Sequence, residues 1–331
     1  MSLSNPIGIH AVGYALPSTQ VMNQHFVDIG LDTSPDWIAS RTGINARYIE
    51  PKNLTSDLAV AAANHTLQQL SLSKDAIDFI ILATASPDHN GFPSTACIVQ
   101  EKLGITRPIP CFDITAACSG FAYGLTIAAS KINAGFGKFG LVIGAERLNT
   151  LLDWSDRRSA ILFGDGAGAA IVGPVDQGGF LAFNQGADGS YADILRCDPK
   201  SPSTDFNGKS YETPRDLIHM DGAAVFKKGV GVVVESIKQL FDSTDKAIES
   251  VDYFVCHQAN RRILDSVASK LTIPIEKFLM NIDQVGNTSA ASIPILLGQR
   301  MSQTPFKQGD LICLVGFGAG FTWSSILLEW S

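Results

Sequence analysis

Asp78-Phe79-Ile80-Ile81-Leu82-Ala83 and Asp252-Tyr253-Phe254-Val255-Cys256-His257 decide the fold between them, because the same order of segments surrounds both. Each is a short apolar run of strand length, opened by an aspartate. An amphipathic stretch precedes each run, Leu58 to Leu72 in one case and Val232 to Phe241 in the other. A helix ending in Lys-Leu follows each, Ala96 to Leu103 and Arg262 to Leu271. Next comes a second strand-like segment, Cys111 to Ile114 or Phe278 to Ile282. It leads to a helix start at Ala117-Cys118-Ser119-Gly120 or at Asn287-Thr288-Ser289-Ala290. A glycine-punctuated apolar strand closes each unit, Gly140 to Gly144 and Leu311 to Val315. Alternating strands and helices make the chain α/β. The repeated order divides it into two duplicated halves, 1–174 and 175–331. Two such copies pair about a pseudo-twofold axis, so equivalent positions converge: the Cys118 turn, the Asn287 turn and the end of the His257 strand.

Length and composition agree with this frame. The chain has 331 residues, of which 45% are hydrophobic and 17% charged, so a large buried core is available. Net charge is −7, and no global basic field points to nucleic acid. The apolar runs, such as Phe79 to Ala83, are far shorter than the ~20 residues of a membrane-spanning helix. The start reads as a strand, Ile7 to Val12, then a turn at Pro17, without the basic and apolar regions of a signal peptide. A cytoplasmic protein is therefore expected. None of the six cysteines forms a CxxC pair, which argues against a zinc ribbon or thioredoxin-like site, and no metal is expected. Pro199 to Pro214, rich in Pro, Ser, Asp, Lys and Gly, reads as a long surface loop.

Three segments carry chemistry. In Asp113-Ile114-Thr115-Ala116-Ala117-Cys118-Ser119-Gly120 a strand ends among small residues, and an apolar helix follows to about Ile132. Cys118 falls at the strand-to-helix turn, where the helix dipole and free N–H groups favour a nucleophilic thiolate. Alone, such a cysteine reads as a packing residue. In Cys256-His257-Gln258-Ala259-Asn260-Arg261-Arg262 the histidine ends an apolar strand, where side chains enter a cleft, and two arginines follow. A neutral imidazole there can donate a hydrogen bond or move a proton. In Gly286-Asn287-Thr288-Ser289-Ala290-Ala291-Ser292-Ile293-Pro294 the Asn287 amide can donate to an oxyanion without a change of charge, though Gly-Asn-Thr is also a helix-cap pattern. The clusters Gly164 to Gly168 and Gly316 to Gly320 lack the strand, glycines and helix of a nicotinamide site. The first runs into a strand. The second reads as a tight turn aiming backbone N–H groups at a ligand.

The set and order of these pieces resemble β-ketoacyl-acyl carrier protein synthase III, of the thiolase superfamily, from Ile7 to the C-terminus. Trp37-Ile38-Ala39-Ser40-Arg41-Thr42-Gly43-Ile44, Gly91-Phe92-Pro93-Ser94-Thr95-Ala96-Cys97, Phe163 to Ala169 and Gly316 to Trp323 carry the resemblance with the three segments above. It implies a thiolase-like five-layered αβαβα fold of two duplicated halves, and a homodimer. It also implies that Cys118 takes an acyl group from acyl-CoA. His257 and Asn287 then stabilise the enolate formed as malonyl-acyl carrier protein loses carbon dioxide. The backbone N–H groups of Cys118 and Ala319 form the oxyanion hole. Trp37 and Arg157 match a clamp on the CoA adenine, Arg41 a CoA-phosphate contact, and Arg262, beside Arg261, a carrier-protein docking position. Phe92 matches a residue that enters the partner subunit's acyl pocket. No cofactor is implied beyond the substrates acyl-CoA and malonyl-acyl carrier protein.

Two positions depart from the family pattern. Ala223 stands where an Asn often contacts pantetheine, and Ala224 where a Glu is frequent. Among relatives by chemistry, a thiolase needs a second cysteine in the C-terminal glycine turn, and elongating ketosynthases need a second histidine where this chain has Asn287. A synthase-III-like enzyme of specialised metabolism, condensing another nucleophile or transferring the acyl group to oxygen or nitrogen, stays open at this point. The acyl primer is not legible.

Overall fold

A computed structural model describes residues 6–70, 72–197 and 217–331. The loop expected over Pro199 to Pro214 lies outside the described residues. The first large sheet contains β1 (Ile7–Ala15), β2 (Phe79–Ala83), β3 (Cys111–Ile114), β4 (Gly140–Glu146) and β5 (Gly166–Pro174). The second contains β6 (Gly179–Ala187), β7 (Tyr253–Cys256), β8 (Leu311–Gly318) and β9 (Thr322–Glu329). Helices of eight residues or more are α1 (Pro35–Thr42), α2 (Thr55–Gln68), α3 (Thr95–Lys102), α4 (Gly120–Asn133), α5 (Gly222–Asp242), α6 (Arg261–Leu271) and α7 (Ser292–Gln303).

The strand order is β1-β5-β4-β2-β3 in the first sheet and β6-β9-β8-β7 in the second. Pairing matches position by position. β1 with β5 and β5 with β4 are antiparallel, as are β6 with β9 and β9 with β8. β4 with β2 is parallel, as is β8 with β7. The duplication read from the sequence is therefore one of topology.

Three cores separate five layers. Ala59, Ala62 and Ala63 of α2 and Val99 of α3 pack on Ile80, Leu82, Leu141 and Ile143. Phe121 and Leu125 of α4, with Ile293 and Leu297 of α7, fill the space between Ile81 and Val142 of one sheet and Ile312 and Leu314 of the other. Val233 and Ile237 of α5 and Ile263 and Val267 of α6 cover the far face of the second sheet, on Phe254 and Val315. Both sheets are thus covered on both faces. That is why β2 and β8 are apolar at every position rather than alternating.

One strand expected from the sequence is missing. Phe278 to Ile282 forms a single parallel bridge, Phe278 with Phe254, in place of a counterpart to β3. A side chain takes the place of the ladder. Gln258 Nε2 donates to the carbonyls of Cys256, at 2.9 Å, and Leu279, at 3.3 Å, while its Oε1 accepts from the Asn281 N–H. The chain then turns into the short helix Ile282–Val285.

Candidate active site

Cys118 lies in a 3₁₀ turn, Ala117–Ser119, that leads into α4; a matching turn, Ser289–Ala291, leads into α7. Ala117 and Ser289 both take positive φ, 44° and 47°, an uncommon conformation for residues with a Cβ. The two turns are structural counterparts and pack on each other. Glycines admit the Cys118 turn to the second half. A Cβ on Gly316 would lie 2.8 Å from Ser119 Cα, and one on Gly318 2.8 Å from the Cys118 nitrogen. Both glycines belong to β8, so the expected turn is confined to Ala319 to Phe321.

Cys118, His257 and Asn287 line one cavity of about 110 Å³, with Phe226, Phe317 and Gly318. Burial pushes the Cys118 thiol up to about 12, the Glu146 charge adds to this, and the Ser289 hydroxyl opposes it. The thiolate expected from the helix N-terminus is therefore not the resting form. Cys118 sits ahead of α4 in an enclosed turn, and desolvation outweighs the dipole.

Burial pulls His257 down to about 3, so its ring is neutral. Its Nδ1 lies 2.7 Å from Ser292 Oγ, and the Gln258 N–H donates to that same oxygen at 3.5 Å. With the Ser292 hydroxyl donating to Nδ1, Nε2–H is the donor left for a ligand. The ring edge rests against Phe317, with centroids 5.2 Å apart. Asn287 Oδ1 accepts the Ser289 N–H at 2.9 Å, so the Nδ2 end is the one left for a ligand. The Asn287 backbone bonds Leu162 and Gly164 and ties its turn to the first half. The site offers a buried thiol and two neutral donors. Because the imidazole is already neutral, condensation by preformed acyl-enzyme should show no acidic limb from His257 between about pH 5 and 8. Rapid-quench rates across that range test this; an inflection near the ordinary histidine value, lost in His257→Asn, would refute it.

Family models for 3-oxoacyl-[acyl-carrier-protein] synthase III match residues 112–189, and for its C-terminal part residues 241–330. A β-ketoacyl-[acyl-carrier-protein] synthase III of Natranaerobius thermophilus is 42% identical over 327 residues, 97% of this chain and 98% of that one. The chain belongs to the 3-oxoacyl-[acyl-carrier-protein] synthase III family. Solved family structures superpose closely. That from Aquifex aeolicus has TM-score 0.89 at 40% identity, covering 98% of this chain and 100% of its own. That from Thermus thermophilus has TM-score 0.90 at 37% identity, covering 98% and 99%.

None of the other positions singled out by resemblance to the synthase III family lines this cavity, and Trp37, Arg41, Phe92, Arg261 and Arg262 are exposed. Trp37 and Arg157 meet, the guanidinium 4.9 Å from the indole centroid, and Arg157 also bonds Asp32. No space for a base remains between them in this state. Arg41 is exposed, and its carbonyl accepts from Asn260 Nδ2. Arg261 packs so closely on Gly43 that a Cβ there would lie 2.5 Å from its own. The Arg262 guanidinium stands 5.6 Å from the ring of Phe226, a cavity residue. Phe92 is 90% exposed. Ala223 and Ala224 donate their N–H groups to Asp221, the N-cap of α5, so these departures from the synthase III pattern fall in a capped first turn. Ala319 follows Gly318 directly, and its carbonyl accepts from Thr322. Among the described residues, no group of three or more His, Cys, Asp or Glu could hold a metal ion. No helix there is long and apolar enough to cross a membrane.

The sequence reading assigned nothing to Ser289, Ser292 or Glu146. The two serines lie inside the Asn287 segment already singled out. Glu146 carried a signal of its own, an acidic residue ending an apolar strand.

Proposed function

We propose that this condensing enzyme starts fatty acid synthesis with Cys118 as acyl carrier and with His257 and Asn287 as enolate donors. Acyl-CoA transfers its acyl group to Sγ and CoA leaves. Malonyl-acyl carrier protein then loses carbon dioxide, and the enolate oxygen is held by His257 Nε2–H and Asn287 Nδ2–H. The carbanion attacks the Cys118 thioester, whose oxyanion takes the backbone N–H groups of Cys118 and Ala319. β-Ketoacyl-acyl carrier protein leaves and the thiol is restored. Decarboxylation itself supplies the carbanion, so neutral donors suffice and no strong base is needed. The observation carrying this reading is the shared cavity of one buried thiol and two neutral donors.

On this reading Trp37 and Arg157 part to take the CoA adenine, and Arg41 meets a CoA phosphate. Arg262, with Arg261, receives the acidic carrier protein. Phe92, exposed with no cover from its own chain, fits a homodimer in which it reaches the partner's acyl pocket. A division of halves at 174/175 is supported by β5 ending at Pro174 in one sheet and β6 opening at Gly179 in the other. The named relatives favour condensation over acyl transfer to oxygen or nitrogen. A screen of acyl-CoA primers against malonyl-acyl carrier protein, with product identification, tests the scheme. Acyl transfer without carbon dioxide release would overturn it. Arg262→Glu should raise KM for the carrier-protein substrate about tenfold and leave single-turnover acylation by acyl-CoA unchanged. Equal loss in both assays would remove the docking role.

A further inference from the structure

The two backbone N–H groups assigned to the thioester oxyanion belong to different halves of the molecule. Cys118 precedes α4 and Ala319 follows β8. Such a hole works only while both donors stay about 3 Å from one point, so their spacing has to be set. Close packing sets part of it, since a Cβ on Gly318 would lie 2.8 Å from the Cys118 nitrogen. A pair of hydroxyl groups bridges the rest. Ser119, fully buried beside the cysteine, has its Oγ 2.8 Å from Oγ1 of Thr322, the first residue of β9. Thr322 Oγ1 also lies 2.9 Å from the Ala319 carbonyl oxygen and 3.3 Å from that of Ala116. Ser119 Oγ lies 2.7 Å from the Ala116 carbonyl oxygen.

Two hydroxyl protons serve these four contacts. The Ala116 carbonyl already accepts the Ser119 N–H at 3.1 Å. For the Ala319 carbonyl, Thr322 is the one donor among the described residues. Both carbonyls are therefore satisfied when Ser119 donates to Thr322 and Thr322 donates to Ala319. The turn from Ala319 to Phe321 is then held at three places. Gly318 pairs with Thr322 across β8 and β9, and Phe321 exchanges backbone bonds of 2.9 and 2.8 Å with Asp188. Between them the Thr322 hydroxyl fixes the Ala319 carbonyl and, through Ser119, ties it to the Cys118 turn.

From this geometry we infer that Thr322 and Ser119 are positioning residues for the oxyanion hole: their hydroxyls staple the Ala319 turn to the Cys118 turn and hold the two N–H donors at one spacing. An oxyanion arises at the thioester carbon twice in each cycle, when acyl-CoA acylates Cys118 and when the carbanion attacks the acyl-enzyme. The enolate of malonyl-acyl carrier protein is held elsewhere, by His257 and Asn287. The staple therefore serves acylation and carbon–carbon bond formation, and not carbon dioxide release. The inference rests on Cys118 and Ala319 supplying the hole.

The test uses Thr322→Val in the full chain, which keeps the side-chain shape and removes the hydroxyl. Single-turnover acylation by acyl-CoA, and ketoacyl formation from preformed acyl-enzyme, should each fall about 10- to 100-fold, with KM for acyl-CoA unchanged. Carbon dioxide release from malonyl-acyl carrier protein, measured without acyl-CoA, should match the parent. Thr322→Ser should recover most of the lost rate. Ser119→Ala, which leaves Thr322 bonded to Ala319, should lose less than Thr322→Val. Parent rates in Thr322→Val would overturn the inference, and so would equal losses in all three steps, the mark of a general disturbance of the fold. Isotope-edited infrared spectra separate the premises, taken on acyl-enzyme made from the best primer of the acyl-CoA screen, labelled with ¹³C at its carbonyl. The parent carbonyl stretch should lie below that of the free thioester, and Thr322→Val should move it back toward the free value. A parent stretch at the free value removes the hole itself. A lowered stretch that Thr322→Val leaves in place keeps the hole and sinks the staple.

Discussion

Cys118→Ala will lower acyl-enzyme formation by about 10⁴-fold or more, to the background of non-enzymatic modification. The substitution removes the only thiol that lines the cavity among the described residues. Cys256 is buried and directed into the core of the second half, where burial pushes its thiol up to about 12. Cys313, buried beside it, is no more available. The measurement is the intact mass after incubation with acyl-CoA, followed by mapping of the labelled peptide. A label retained at full level would take the acyl group away from Cys118.

His257→Ala and Asn287→Ala will each retain acylation and lose condensation by about 10²- to 10³-fold, the effect of removing one donor to a developing oxyanion. The two donors serve one oxygen, so the double variant will lose less than the product of the single effects. Carbon dioxide release from malonyl-acyl carrier protein reports the step directly. Normal decarboxylation in either variant would end its assigned role. Ser292→Ala offers a graded comparison. It frees Nδ1 from its partner at 2.7 Å and lets the imidazole change tautomer, a milder defect in the same step.

Most of the fold was legible because both sheets are covered on both faces. Apolar runs such as Phe79 to Ala83 then stand out without any competing alternation. The duplicated order was legible for the same reason, down to the paired turns before α4 and α7. The missing strand at Phe278 to Ile282 was not, because a single side chain, Gln258, replaces its ladder, and no local propensity records such a substitution. The three cavity residues were visible through motif and repeat together. The protonation state of Cys118 was misread because a dipole argument uses position along a helix, whereas desolvation depends on what the other half lays over it. Glu146 ends an apolar strand in plain view, but the groups that bond it, Thr84 to Ser86 and Ala290, lie far from it in the chain.

The unequal rims of the two halves bear on assembly. The first sheet ends in a true strand, Cys111–Ile114, half-buried along its whole length, and the second ends in one bridge closed off by an amide side chain. An open backbone edge is a template for another chain, and a sealed one is not. Copies that meet rim to rim through Cys111–Ile114 use up both templates in one self-complementary contact. If copies pair through these rims, growth there stops at two rather than running on into a filament.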